Sequence, residues 1–143
     1  MKLASFRDDP SGFGVAFCGE GVRVASVVLS ASVNSERQIE AELARLKSAH
    51  VPEERSVGFM LACIGRGENF YGGQQNVESK AFRKFFPTTP LIGLFGNGEI
   101  GFDHVPDYSK PVVVSANSAT ADYSETDQLY HSYTTIFVIV SFP

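Results

Sequence analysis

Cys63 stands at the end of an apolar run and is followed at once by Gly65-Arg66-Gly67. A guanidinium beside a thiol favours the thiolate and makes it a nucleophile. The same position equally suits a buried cysteine acting as a small hydrophobe, the commoner fate of the free thiol. Cys18, inside another apolar stretch, reads as buried. A Cys–His hydrolase would need His50, His104 or His131 beside Cys63, together with an oxyanion hole. The three histidines are scattered, and no local signature joins any of them to Cys63. The expectation is therefore no enzyme. Nor do the two cysteines and three histidines show metal-ligand spacing, so neither metal nor cofactor is expected.

The stretch "PLIGLFGNGEIG", Pro90 to Gly101, raises a second chemistry. Gly96, Gly98 and Gly101 fit the bare G-x-G-x-x-G pattern of a dinucleotide cradle. Such a cradle needs a helix directly afterwards to receive the pyrophosphate. Here "FDHVPDYSKP" follows, with two prolines and no helical period, and no P-loop Lys-Ser or Lys-Thr is present. Asn97-Gly98 instead predicts a two-residue type I′ hairpin, with Gly96 opposite Glu99 and Phe95 opposite Ile100. In that register Glu99 shares a face with Ile92 and Leu94, so its carboxylate must find solvent or a donor.

Binding chemistry is suggested elsewhere. Lys80, Arg83 and Lys84, joined by Arg66, would line a positive patch for an acidic peptide or a carboxylate ligand. The plainer alternative is the wet face of a short helix. The adjoining loop "GRGENFYGGQQN" carries Phe70 and Tyr71, aromatics suited to anchoring an interface. In "HSYTT", strand alternation would point His131 and Tyr133 one way and Ser132 and Thr134 the other. They would line a polar cleft at a sheet end, or simply satisfy that end. The candidate binding residues are thus Cys63, Arg66, Phe70, Tyr71, Arg83, Glu99, His131 and Tyr133.

These side chains need a scaffold, and 143 residues with 43% hydrophobic content suit one domain over 1–143. Residues 1–10 are expected to be disordered. Ser11 to Val33 reads as a hairpin around Gly19-Glu20-Gly21, its second arm apolar on both faces and hence an interior strand. Ile39, Leu43, Leu46 and His50 recur at helical spacing, with Ser35 and Gln38 as a capping box and Pro52 as the stop. "SVGFMLAC" reads as a buried strand. "NVESKAFRKFFP" reads as a short helix burying Val77, Ala81, Phe82 and Phe85, with Asn76 as cap. "KPVVVSA" reads as a strand, "NSATADYSETDQ" as a polar loop, and "LYHSYTTIFVIVSF" as a central strand. The fold class expected is α+β, a mixed, largely antiparallel sheet with two helices packed on it.

The formal charge of −4 argues against a nucleic-acid or anionic-membrane partner. The longest apolar run, Thr134 to Phe142, falls well short of the roughly 20 residues of a membrane helix. "MKLASFRDDPSG" lacks the apolar core of a signal peptide. With so few cysteines, the expected compartment is reducing: cytoplasm, nucleus or both.

Three segments in order, "LACIGRG", "VESKAFRKFFPTTPLIGLFGNGEIG" and "LYHSYTTIFVIVSF", resemble the C-terminal FIST domain family. The resemblance is clear from Ser56 to Phe142 and loose over the first 55 residues. It implies an intracellular module. In an F-box member of the family, that module recruits protein substrates to a cullin-type ubiquitin ligase. In microbial signalling proteins it senses small, amino-acid-like ligands. It also implies an N-terminal FIST half and an upstream F-box that docks the Skp adaptor. Neither is visible in this chain, which is therefore expected to be a fragment or an isolated C-terminal domain. The function implied is non-catalytic substrate recognition, with ligand sensing as the alternative.

Overall fold

The computed structural model describes residues 2–4, 14–110 and 129–143. Among these residues, eight strands and two helices follow one another as β1 (Lys2–Ala4), β2 (Gly14–Ala16), β3 (Arg23–Leu29), α1 (Glu36–Lys47), β4 (Ser56–Cys63), α2 (Val77–Phe85), β5 (Leu91–Gly96), β6 (Glu99–Ile100), β7 (Tyr130–His131) and β8 (Thr135–Ser141). Two 3₁₀ turns, Ile64–Arg66 and Glu68–Tyr71, lie between β4 and α2. The fold is α+β. Its main sheet has the order β3-β8-β4-β5, antiparallel except for the parallel β4–β5 pair. Parallel neighbours need a long crossover, which α2 supplies.

Both helices contribute to the core on one side of this sheet. Ile39, Leu43 and Leu46 of α1 lie one helical face apart and are buried, and Gln38 Oε1 accepts the Ser35 N–H at 3.2 Å. His50 falls beyond this helix, in the left-handed region at φ +54°. From α2, Phe82 stacks on Phe86 at 4.8 Å and on Phe137 of β8 at 5.5 Å. It sits directly over β4: a methyl group at Gly58 would come within 2.6 Å of the Phe82 ring. Ala25, Val27 and Leu29 from β3 complete this layer. β8, expected to be central, is central, because both its faces are apolar.

Several sequence expectations give way. Ser11–Val33 is not a hairpin: β2 pairs with β1 and β3 pairs with β8, although the chain still turns at Gly19–Gly21. Lys2–Ala4, within the stretch expected to be disordered, forms β1. β3 is a margin of the sheet and not an interior strand. Its outer N–H groups are met without a strand partner: Val24 donates to the Tyr108 hydroxyl at 3.1 Å, Ser26 to the His104 carbonyl at 2.7 Å, and Val28 to Asp103 Oδ1 at 2.7 Å. Its apolar outer face thus coexists with a sealed edge.

The Asn97–Gly98 hairpin is also absent. β5 lies beside β4 and β6 beside β7. Gly98 has φ +94°, but Asn97 is outside the left-handed region, so a type I′ turn does not form. From Phe102 to Lys110 the chain is irregular apart from an isolated bridge at His104, so no helix directly follows Gly101 to hold a phosphate. The expected strand "KPVVVSA" and loop "NSATADYSETDQ" lie outside the described residues. Among the described residues, no helix is long and apolar enough to cross a membrane.

Candidate functional site

β4 and β5 run parallel and end together at Cys63 and Gly96. The C-terminal end of parallel strands is where α/β sheets gather loops able to bind. Here it gathers the 3₁₀ turns, the start of α2, the short β6–β7 pair and the entry to β8.

Arg66 organises this end from inside. It is 2% exposed, and each of its five N–H groups has an acceptor. Nε donates to Glu78 Oε1 at 2.7 Å. Nη1 donates to the carbonyls of Ser30 at 3.2 Å and Tyr133 at 3.1 Å. Nη2 donates to the Val33 carbonyl and the Tyr71 hydroxyl, both at 2.8 Å. Glu78 also accepts from the Tyr71 hydroxyl and, at 2.7 Å, from Thr135. Burial first, and then the bond to Glu78, pushes the Tyr71 phenol well above its ordinary value. The Phe70 ring lies 4.7 Å from the Arg66 guanidinium carbon, a cation–π contact.

Arg66 therefore ties five segments together and offers no N–H to a ligand. The other cations do not gather around it. Arg83 donates to the Thr89 carbonyl at 2.6 Å, and Lys84 bonds Glu36 at 2.5 Å and Glu40 at 2.6 Å on α1. Phe70 and Tyr71 turn toward the guanidinium. The expected positive patch is thus dispersed into scaffold contacts. Glu78 was missed by sequence reasoning, yet its signal was present: it shares a helical face with Ala81 and Phe82, and a carboxylate on an apolar stripe requires a buried donor.

The structure does bring Cys63, Glu99, His131 and Tyr133 into one neighbourhood. Expected alternation across "HSYTT" breaks because the strand is interrupted at Ser132–Thr134, with Tyr133 in the left-handed region at φ +57°. The Arg66 bond to its carbonyl helps hold this costly conformation. The Tyr133 side chain is nonetheless 58% exposed. Its ring rests against Gly65, where a methyl group would sit 2.9 Å from the ring and 3.7 Å from the Cys63 sulfur. Cys63 is buried and Cys18, expected to be buried, is exposed. Exposed Ile64, Ile100 and Tyr130 share this end of the sheet.

Glu99 is 4% exposed. Its Oε2 accepts from the Thr134 N–H at 3.3 Å and from the Thr134 hydroxyl at 2.8 Å. Its Oε1 has no hydrogen-bond partner. His131 is opposite Glu99 in the β6–β7 pair, and its Nε2–H donates to the Gly101 carbonyl at 2.8 Å. Across the sheet end, a cleft of about 280 Å³ opens between Met60, Tyr71, Val77 and Phe95, with Glu68 and Gln74 on its rim. Among the described residues no cluster of His, Cys, Asp or Glu is arranged to hold a metal.

Residues 9–102 match the FIST C domain family. That match takes in most of the first 55 residues, where the resemblance had been loose, and stops before "HSYTT". F-box only protein 22 of Homo sapiens is 44% identical over 135 residues, covering 92% of this chain and 32% of that protein. The Pongo abelii protein of the same name gives the same figures. F-box/LRR-repeat protein At5g63520 of Arabidopsis thaliana is 29% identical over 104 residues, 73% of this chain and 18% of that relative. The chain spans about a third of the length of the F-box only proteins it matches. These relatives are named as F-box proteins and not as enzymes. Because the family match extends over well more than half of the sequence, the chain belongs to the FIST C domain family.

Proposed function

We propose that this chain is the substrate-recognition part of an F-box-type ubiquitin ligase receptor and is non-catalytic by itself. It would meet the Skp adaptor only through an F-box supplied by other sequence, in the cytoplasm or nucleus. An N-terminal FIST half would be its natural neighbour, and His131 and Tyr133 would lie within the surface that receives substrate, with the buried Cys63 close behind at Gly65. The observation that carries this reading is Tyr133: an aromatic ring left exposed on a backbone held in an unfavourable conformation by a buried arginine. Backbone strain of this kind marks functional sites, and rigid exposed aromatics serve as interface anchors.

The test compares proteins captured by the wild-type chain with those captured by Tyr133→Ala and Ile64→Asp. The same substitutions, placed in a full-length F-box receptor, should reduce ubiquitylation of whichever proteins they cease to capture. Equal capture and equal ubiquitylation by all three forms would refute the reading.

A second reading, sensing of a small amino-acid-like ligand, draws support from the partnerless Glu99 Oε1. A ligand ammonium would satisfy that oxygen. Thermal shift against a panel of amino acids tests it, since stabilisation rises with ligand concentration over its dissociation constant. A flat response for wild type, indistinguishable from Glu99→Gln, would remove it.

A further inference from the structure

The two margins of the main sheet differ. β3 is sealed by Asp103, His104 and Tyr108, whereas β5 has β4 on one side and, among the described residues, no strand on the other. The Pro90 carbonyl accepts the Gly58 N–H at 2.7 Å, which fixes the parity of the parallel ladder. Even-numbered residues of β5 turn their backbone groups toward β4. The N–H and C=O groups of Leu91, Gly93 and Phe95 therefore face outward. Open edges of this kind are normally blunted by charge, proline or a bulge, and β5 (Leu91–Gly96) contains no charge and no proline.

We propose that β5 pairs antiparallel with β5 of a second copy of this chain, about a two-fold axis at Gly93. The sequence of the strand is self-complementary about that point. Leu91 falls opposite Phe95 of the other copy, Ile92 opposite Leu94, and Gly93 opposite Gly93. The outward-facing residues are the ones that such a register makes into hydrogen-bonded pairs. The cross-strand pairs are apolar on both faces, an arrangement that stabilises sheets.

Charge and area agree with this occupant. A two-fold contact sets residues on either side of the axis against one another, and no residue between Lys84 and Glu99 carries a charge to oppose it. Ile92, Leu94 and Phe95 are 58%, 58% and 54% exposed. Together they offer roughly 300 Å² of apolar surface per copy. With the backbone edges, the joint interface is on the order of 1,000 Å², the threshold for a specific, reversible association. The result is one continuous sheet, β3-β8-β4-β5 followed by its inverse. This goes beyond substrate recognition, and it is read by mass and amide exchange, which do not depend on the Tyr133 surface.

Sedimentation velocity of the 143-residue chain, from ~1 to ~200 μM, tests it over the range of weak dimers. The mass should rise toward that of two chains and fall again on dilution. Leu94→Lys, at an exposed position, should weaken association by about tenfold or more, because each ammonium group is set against the apolar Ile92 of the other copy and lies diagonal to the second lysine on the same face. Adding Ile92→Glu should restore a salt-sensitive dimer, since each new lysine then opposes a carboxylate of the other copy. Hydrogen exchange on the wild type provides a readout that needs no variant: the Leu91, Gly93 and Phe95 amides should gain protection as concentration rises. A chain that stays monomeric throughout overturns the proposal. So does a dimer indifferent to Leu94→Lys, or one that leaves those three amides unprotected. Strong protection of the same amides in a dilute monomer would also overturn it, by showing that another segment covers the edge.

Discussion

Replacing Arg66 with methionine should be among the most damaging single changes in the chain. The guanidinium is 2% exposed and Glu78 is 3% exposed. Removing the cation strands the Glu78 carboxylate with only the Tyr71 and Thr135 hydroxyls, and it strips donors from the Ser30, Val33 and Tyr133 carbonyls. Breaking one side of a buried pair costs about 3–5 kcal/mol. Against a typical stability of ~5–15 kcal/mol, that is a large share. At about 2–4 °C per kcal/mol for a chain near this size, Tm should fall by roughly 6–20 °C. The double variant Arg66→Met/Glu78→Leu removes both charges and leaves only neutral groups short of partners, at about 1 kcal/mol each before repacking. It should therefore be more stable than Arg66→Met alone. Urea denaturation of the wild type, both single variants and the double variant closes the cycle. If the losses simply add, or if Arg66→Met unfolds within ~0.5 kcal/mol of wild type, the account of Arg66 as the tie at this end of the sheet is wrong.

Three other perturbations follow from the same geometry. The Tyr71 phenol is held above its ordinary value of 10.0 in the folded chain, so it favours folding below pH 10 and that contribution is lost as pH rises further; absorbance near 295 nm during alkaline titration should show its phenolate appearing only as the protein unfolds, and a phenolate in the folded protein near pH 10 would contradict this. Gly58→Ala puts a methyl group 2.6 Å from the buried Phe82 ring and should cost about 1–3 kcal/mol, read by thermal unfolding, whereas a neutral result would mean that α2 is free to lift off β4. Gly65→Ala puts one 2.9 Å from the exposed Tyr133 ring, which can move outward, so stability should change by only about 0.5 kcal/mol while capture of protein partners falls.

What the sequence disclosed, and what it hid, follows from the range of the interactions. The apolar spacing of Ile39, Leu43 and Leu46 announced α1, and Ala81 with Phe82 announced α2, because a helix is set by residues three and four apart. β4 and β8 were legible as apolar runs. Strand partners were not. Gly19–Gly21 and Asn97–Gly98 both mark real changes of direction, and each suggested pairing between its two flanks. Both times more distant partners won: β8 beside β3, and β4 beside β5. A turn signal tells the chain where to bend; the burial of apolar faces on distant strands decides what lies alongside.

The site divides similarly. Cys63, Glu99, His131 and Tyr133 were picked out separately, and their proximity came only from the meeting of β4, β6, β7 and β8. Arg66 was read as a surface cation because the carboxylate that pairs with it, Glu78, lies twelve residues further on and not beside it in the sequence. Its acceptors come from Ser30, Val33, Tyr71, Glu78 and Tyr133, scattered along the chain.

The closure of β3 by Asp103, His104 and Tyr108 limits how far this sheet can propagate. A unit with two open margins would add neighbours without end and grow into a fibre. With one margin stopped, growth ends after a single addition at β5. Losing the Asp103 carboxylate or the Tyr108 hydroxyl would therefore do more than remove one hydrogen bond: it would begin to expose a second valence, and turn a self-limiting assembly into one able to polymerise.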